Sequence, residues 1–218
     1  MKKSGLVILV ILVSAGSFAI GSGQAQMKPK MEAGMMTMTP SAVNLGKAMR
    51  MLWEDHVMYT REYIISALAG LEDAQAVAAR LLRNQDDIGN AIKPYYGDQA
   101  GAKLTSLLRD HILIAVEVVK AAKAGVAADL AAASKKWTAN ADELAAFLSG
   151  ANPHWPRTEM TDMLHKHLDL TTQEAVSRLK KDWAGDIAAY DQGNAHMMKF
   201  ADILTGGIVA QFPGKFKA

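Results

Sequence analysis

Residues 104–111 read LTSLLRDH, and residues 160–167 read MTDMLHKH. Thr, Leu and His fall at matching places in both. A second pair, NQDDI at 84–88 and NADEL at 140–144, recurs at the same offset of 56 residues. His56 precedes His111 by 55 residues, so a third copy begins upstream. One offset shared by separate blocks marks a duplicated unit. The unit is about 55 residues long and carries His on its first arm and Asn on its second.

Working outward, each of these polar residues sits in an apolar stripe of helical period. Leu45, Met49, Leu52, His56, Tyr59 and Tyr63 alternate steps of four and three, as one buried helix face does. Similar stripes run through Asn84, His111, Asn140, His167 and Asn194. The pattern predicts helices over 42–70, 74–93, 99–124 and 127–149, then one from 158 and one from 182. Ser41, Asp73 and Asp98 are the expected caps, Pro94 and Gly97 mark a turn, and a shift of pattern predicts a kink at 169–172. Trp183, Ile187, Tyr190, Asn194 and Met197 form the expected face of the last helix. The fold expected is all-α: an up-and-down antiparallel bundle of about six helices built from three αα-hairpin repeats. Short turns would place the six polar rungs in one layer across its middle.

The chain has 218 residues, of which half are apolar and 21% charged, enough for a sizeable core. Lys2 and Lys3, the apolar run 6–13 and the small residues before Ala25 read as a signal peptide over 1–25. A periplasmic or secreted location follows. Residues 26–40 form a Met-rich flexible leader, 41–211 the helical bundle domain and 212–218 a basic tail. Without residues 1–25 the chain has 22 basic and 22 acidic residues, so nothing in its charge invites nucleic acid. No segment after the signal has the roughly 20 uninterrupted apolar residues of a membrane span. There is no Cys, hence neither disulfides nor thiolate metal sites.

The layer admits two chemistries. A satisfied His–Asn layer would be structural, fixing register among near-identical hairpins; the protein is then a non-enzymatic envelope scaffold or a partner-binding bundle. Alternatively His56, His111 and His167 form a transition-metal site, with Asp87 and Glu143 as further ligands or supports. The leader's Met31, Met35, Met36 and Met38 favour copper, because thioethers select Cu(I); zinc and iron are the alternatives. Trp53 and Trp137, each three residues before a rung, are expected as core walls beside the layer. An enzyme is the least favoured reading. A buried base such as His111 beside Asp87 could move a proton, but the chain has neither a Gly-rich phosphate loop nor a G-x-S-x-G elbow.

At WEDHVMYTREYIISAL, RLLRNQDDIGNAIKPYYG, WTANADELAAFLSGANPHW and MLHKHLDLTTQEAV the chain resembles a family of exported bacterial helical proteins of uncharacterised activity. The resemblance spans about 50–212 and implies an all-helical fold, without site residues or activity.

Overall fold

The computed structural model describes residues 39–217. The expected signal, and the leader with Met31, Met35, Met36 and Met38, lie outside the described residues. What is described is all-helical: five α-helices and one short 3-10 turn.

Helix α1, Pro40–Ala69, starts from Thr39, whose hydroxyl accepts from the Ala42 amide at 3.3 Å. Ser41 is therefore not the cap. Pro40 takes the first helical position, where its missing N–H costs nothing, and this moves the start two residues upstream. Gly70, at φ 72°, closes the helix.

Helix α2 runs Ala74–Ala124 and leaves helical geometry at Gly97 (φ 83°, ψ 170°). The sequence predicts two helices with a turn from Pro94; the chain instead stays helical through Tyr96 and reverses at one glycine. Its two arms then press together at Gly89 and Gly101. A Cβ on either would lie 2.7 Å from the other's carbonyl oxygen, closer than real side chains come. Only glycine permits both the turn and the contact.

Helix α3 is Ala127–Ala151 and α4 is Arg157–Leu179. The kink predicted at 169–172 is not there: α4 is helical throughout. The shift of pattern has another cause. Beyond His167 the helix faces both a cavity and an ion-pair cluster, and so buries Leu170, Glu174 and Ala175. Helix α5, Trp183–Gln211, is capped by Asp182 through the Gly185 amide.

The start of α5 is rotated from its predicted face. Trp183 and Ile187 are more than half exposed, while Asp186, Ala189 and Gly193 are buried. The cause is electrostatic. Arg61 donates to Glu174 at 2.7 Å and to Asp186 at 2.9 Å, and Arg178 donates to Asp186 at 2.7 Å. These bonds draw Asp186 inward and turn the helix with it. The predicted tail at 212–218 contains the 3-10 turn Pro213–Phe216, which docks: Phe216 is buried and stacks on Tyr95 at 5.7 Å.

Helix α1 packs on α2 and α5, α2 on α3, α3 on α4 and α4 on α5, closing a ring. One contiguous core draws on every helix, with Trp53, Ile88, Leu108, Leu144, Leu164 and Phe200 among its members. Burying each such side chain contributes roughly 1.5–3 kcal/mol. A smaller cluster, Tyr63, Ile64, Val119 and Ala175, fills the end beyond the histidines. No helix among the described residues is long and apolar enough to cross a membrane.

Candidate functional site

Because the ring of helices is closed, the middle of each apolar stripe meets the others. His56 of α1, His111 of α2 and His167 of α4 converge there, each no more than 5% exposed. Nε2 of His56 lies 3.4 Å from Nε2 of His167. The ring centroids are 5.4 Å apart for His56–His167, 5.9 Å for His111–His167 and 6.4 Å for His56–His111. Trp53 and Trp137 wall the cluster, 5.5 Å from His56 and 5.3 Å from His111 respectively.

Each histidine is oriented differently. The Asn140 amide N–H₂ donates to the Leu107 carbonyl at 3.1 Å, which points its oxygen at Nδ1 of His111, 2.8 Å away. That oxygen can only accept, so Nδ1 carries the proton and Nε2 keeps its lone pair. Beside His56, Gln85 donates to the Leu81 carbonyl and to Asn84 Oδ1. Its own Oε1 and Nδ1 of His56 are left as buried atoms without a hydrogen bond.

A repeated bond holds the layer in register. Asn84 donates to the Leu52 carbonyl, four residues before His56, and Asn140 to Leu107, four before His111. In the last copy the partner is not Asn194. Nε2 of His196 stands 2.8 Å from the Met163 carbonyl, four residues before His167, and donates to it. Asn194 is half-buried and its Oδ1 is unpaired. Outside the layer, Arg109–Asp86 and His165–Asp142 are ion pairs at equivalent positions of two copies.

Burial keeps all three histidines neutral. It pushes His56 down to about 3, aided by His111 and partly offset by the Gln85 amide. It pushes His111 down to about 4 against the Asn140 bond, and holds His167 well below the ordinary range. In the ion-pair cluster, burial lifts Glu174 to about 7 despite Arg61.

The three histidines form one end of an apolar cavity that continues past Thr60, Ala115 and Thr171 toward Tyr63, Ala122 and Val176. Room for water-sized centres within it is ≈ 40 Å³, enough for about three small molecules the size of water. Thr60 and Thr171 donate their hydroxyls to the carbonyls of His56 and His167, leaving the wall without a free donor at that level.

Of the predicted site residues, the fold brings together His56, His111 and His167. Asp87 and Glu143 lie on exposed faces of their helices. Three residues beyond an inward Asn is nearly a full helical turn, but the side chain falls on the outer flank. Among the described residues no three His, Asp or Glu side chains already surround one point as a ready coordination group. Gln85, His196 and the Arg61–Glu174–Asp186 cluster were not legible as site or core residues. Gln85 has Ala141 as its repeat counterpart, so the repeat carries no signal for it.

No family model, curated protein or solved structure matches this chain.

Proposed function

We propose that the protein binds a transition-metal ion, copper(I) favoured, at His56, His111 and His167, in an exported setting. The observation that carries the reading is the 3.4 Å separation of two buried Nε2 atoms. Two imidazole nitrogens bound to one tetrahedral ion at about 2.0–2.1 Å lie about 3.3–3.4 Å apart. By the same geometry, rings sharing an ion have centroids about 5.2–5.5 Å apart. The His56–His167 pair, at 5.4 Å, fits as it stands. The His111 ring lies about half to one ångström too far, and the adjoining cavity leaves it room to move.

Charge selects the ion. The lining of the site is apolar and contains no carboxylate, and Asp87 and Glu143 are exposed. A divalent ion on neutral imidazoles would bring two uncompensated charges into that surrounding, which is costly. Copper(I) brings one and accepts imidazole; zinc and iron are accordingly second choices. Asn140 and Gln85 support the ligands from behind. The soft thioethers of Met31, Met35, Met36 and Met38 suit them to pass copper(I) on.

The second reading makes the layer purely structural, in a scaffold or partner-binding bundle. It is favoured by the three carbonyl bonds from Asn84, Asn140 and His196. Those bonds also support the finer architecture we infer, three αα-hairpins in which the arms of α2 belong to different repeats.

The test is anaerobic copper(I) loading of the purified exported chain, followed by X-ray absorption. Nitrogen ligands near 2.0 Å are expected. They should vanish when His56, His111 and His167 are all changed to Leu, with helicity retained by circular dichroism. Copper bound only through sulfur, or unaltered nitrogen ligation in the triple variant, would overturn the metal reading and leave the structural one.

A further inference from the structure

We infer that the apolar cavity is an open coordination pocket, which brings a small uncharged ligand of the carbon monoxide type to the histidine-held ion. The inference rests on the copper reading above and adds the ligand class of that site.

Three features carry it. First, the ligand set stops at three. The cavity lining contributes His56, His111 and His167 and no Met, Asp or Glu, so no side chain present there completes a fourth bond to copper. Second, the lone pair of His111 Nε2 faces no protein partner, because the Asn140 bond commits the proton to Nδ1. An ion drawn to it sits at the cavity end of the cluster. Third, the cavity selects by size and polarity. Its ≈ 40 Å³ admits a diatomic and excludes a drug-sized ligand. Its walls beyond the histidines are aliphatic, and the hydroxyls of Thr60 and Thr171 are committed to backbone carbonyls. An anion would find no donor there, whereas a neutral π-acceptor needs only the metal.

The passage has a definable neck. Thr60, Ala115 and Thr171 each stand four residues after a cluster histidine, one helical turn along the cavity, and all three line it. Ala115 is the smallest of them. A longer side chain there narrows the route and touches no histidine nitrogen.

The experiment is infrared spectroscopy of the copper(I)-loaded full chain under carbon monoxide, with nitrogen ligation checked on the same sample. A single C–O stretching band that shifts on isotopic substitution is expected. Ala115→Leu should retain nitrogen-bound copper and lower carbon monoxide affinity by about tenfold or more; Ala115→Val, a smaller step, should do so more weakly and guards against misfolding of the first. Nitrogen-bound copper without a band would overturn the open pocket alone. Undiminished carbon monoxide binding by Ala115→Leu, with helicity intact, would overturn the cavity as the route. Failure of nitrogen ligation itself would remove the underlying copper reading, and this inference with it.

Discussion

Nε2 of His56 and Nε2 of His167 face each other at 3.4 Å in the middle of the bundle, on helices joined through more than a hundred intervening residues. Without a shared ion, one of the two must carry a proton toward the other's lone pair. Both rings must also be neutral, because burial penalises the charged form of each. The pair is thus sensitive to protons and to metal through the same two atoms.

Stability should fall with acid well before the ordinary carboxylates titrate. The folded-state pKa of His56, His111 and His167 is lowered, so between pH 6.5 and about 4 the unfolded chain binds three protons that the folded chain refuses. Their contribution is complete above pH 6.5 and is lost as pH falls. Glu174 acts oppositely: its raised pKa of about 7 makes the folded state hold a proton that the unfolded state releases above about 4.5. The net difference is two protons, or roughly 3 kcal/mol per pH unit between pH 6 and 5. Urea unfolding followed by circular dichroism at those pH values measures it. Equal stability at both would contradict neutral burial of the cluster.

The three Asn rungs should respond unequally to Leu. Asn84→Leu and Asn140→Leu remove a bond to a helix carbonyl, and the second also strands His111 Nδ1; about 1–3 kcal/mol is expected for each. Asn194→Leu removes an amide whose oxygen is already unpaired, and should be neutral or stabilising. His196→Ala should cost about 1 kcal/mol. Denaturant midpoints order the four variants, and a loss at Asn194 as large as at Asn140 would count against His196 as the substitute donor.

Asn140→Leu should also weaken copper(I) binding, by roughly 10–100-fold, as loss of a partner behind a metal-bound imidazole does. Competition with a chromophoric copper(I) chelator measures the change. If affinity does not move while stability drops, Asn140 serves the fold alone.

The close approach within α2 makes Gly89→Ala and Gly101→Ala destabilising. Each added methyl meets the opposite backbone carbonyl, and relief requires the arms to part, at about 1–3 kcal/mol. Gly97→Ala meets no neighbour, yet its φ of 83° resists a side chain and should cost on the order of 1–3 kcal/mol. Thermal unfolding of the three variants checks this; Gly150→Ala, where a Cβ meets open space, is the control.

Arg61→Met leaves Glu174 and Asp186 buried without their shared cation. The expected loss near neutral pH is about 3–5 kcal/mol. It should shrink at pH 5, where Glu174 becomes uncharged. A loss independent of pH would mean that packing of the Arg61 side chain over Tyr190, not charge, is what matters.

Much of this arrangement was legible because helical periodicity and the 56-residue offset are local properties of the chain. His56, Asn84, His111, Asn140 and His167 lie in stripes that could only face inward, and all five are buried. The all-helical class followed from those stripes. What local pattern could not supply was anything decided between helices. Gly97 rather than Pro94 turns the chain, because the Gly89–Gly101 contact fixes where the arms meet. The start of α5 rotates because Arg61 and Arg178 reach Asp186 from other helices. His196 does the work expected of Asn194 because of that helix's setting against α4.

The sequence by itself determined that helices form, where the apolar face of most of them runs, and that three histidines occupy corresponding turns. Periodicity encodes burial within one helix, and burial requires nothing more than a partner surface. Tertiary structure alone decided that these three rings share one cluster, that Asp87 and Glu143 stay outside it, and that an apolar cavity adjoins it. Those outcomes depend on how helices rotate against one another. A rotation of a few tens of degrees is set by glycine contacts and buried ion pairs far apart in the chain, and it moves a side chain between core and solvent without altering any local pattern.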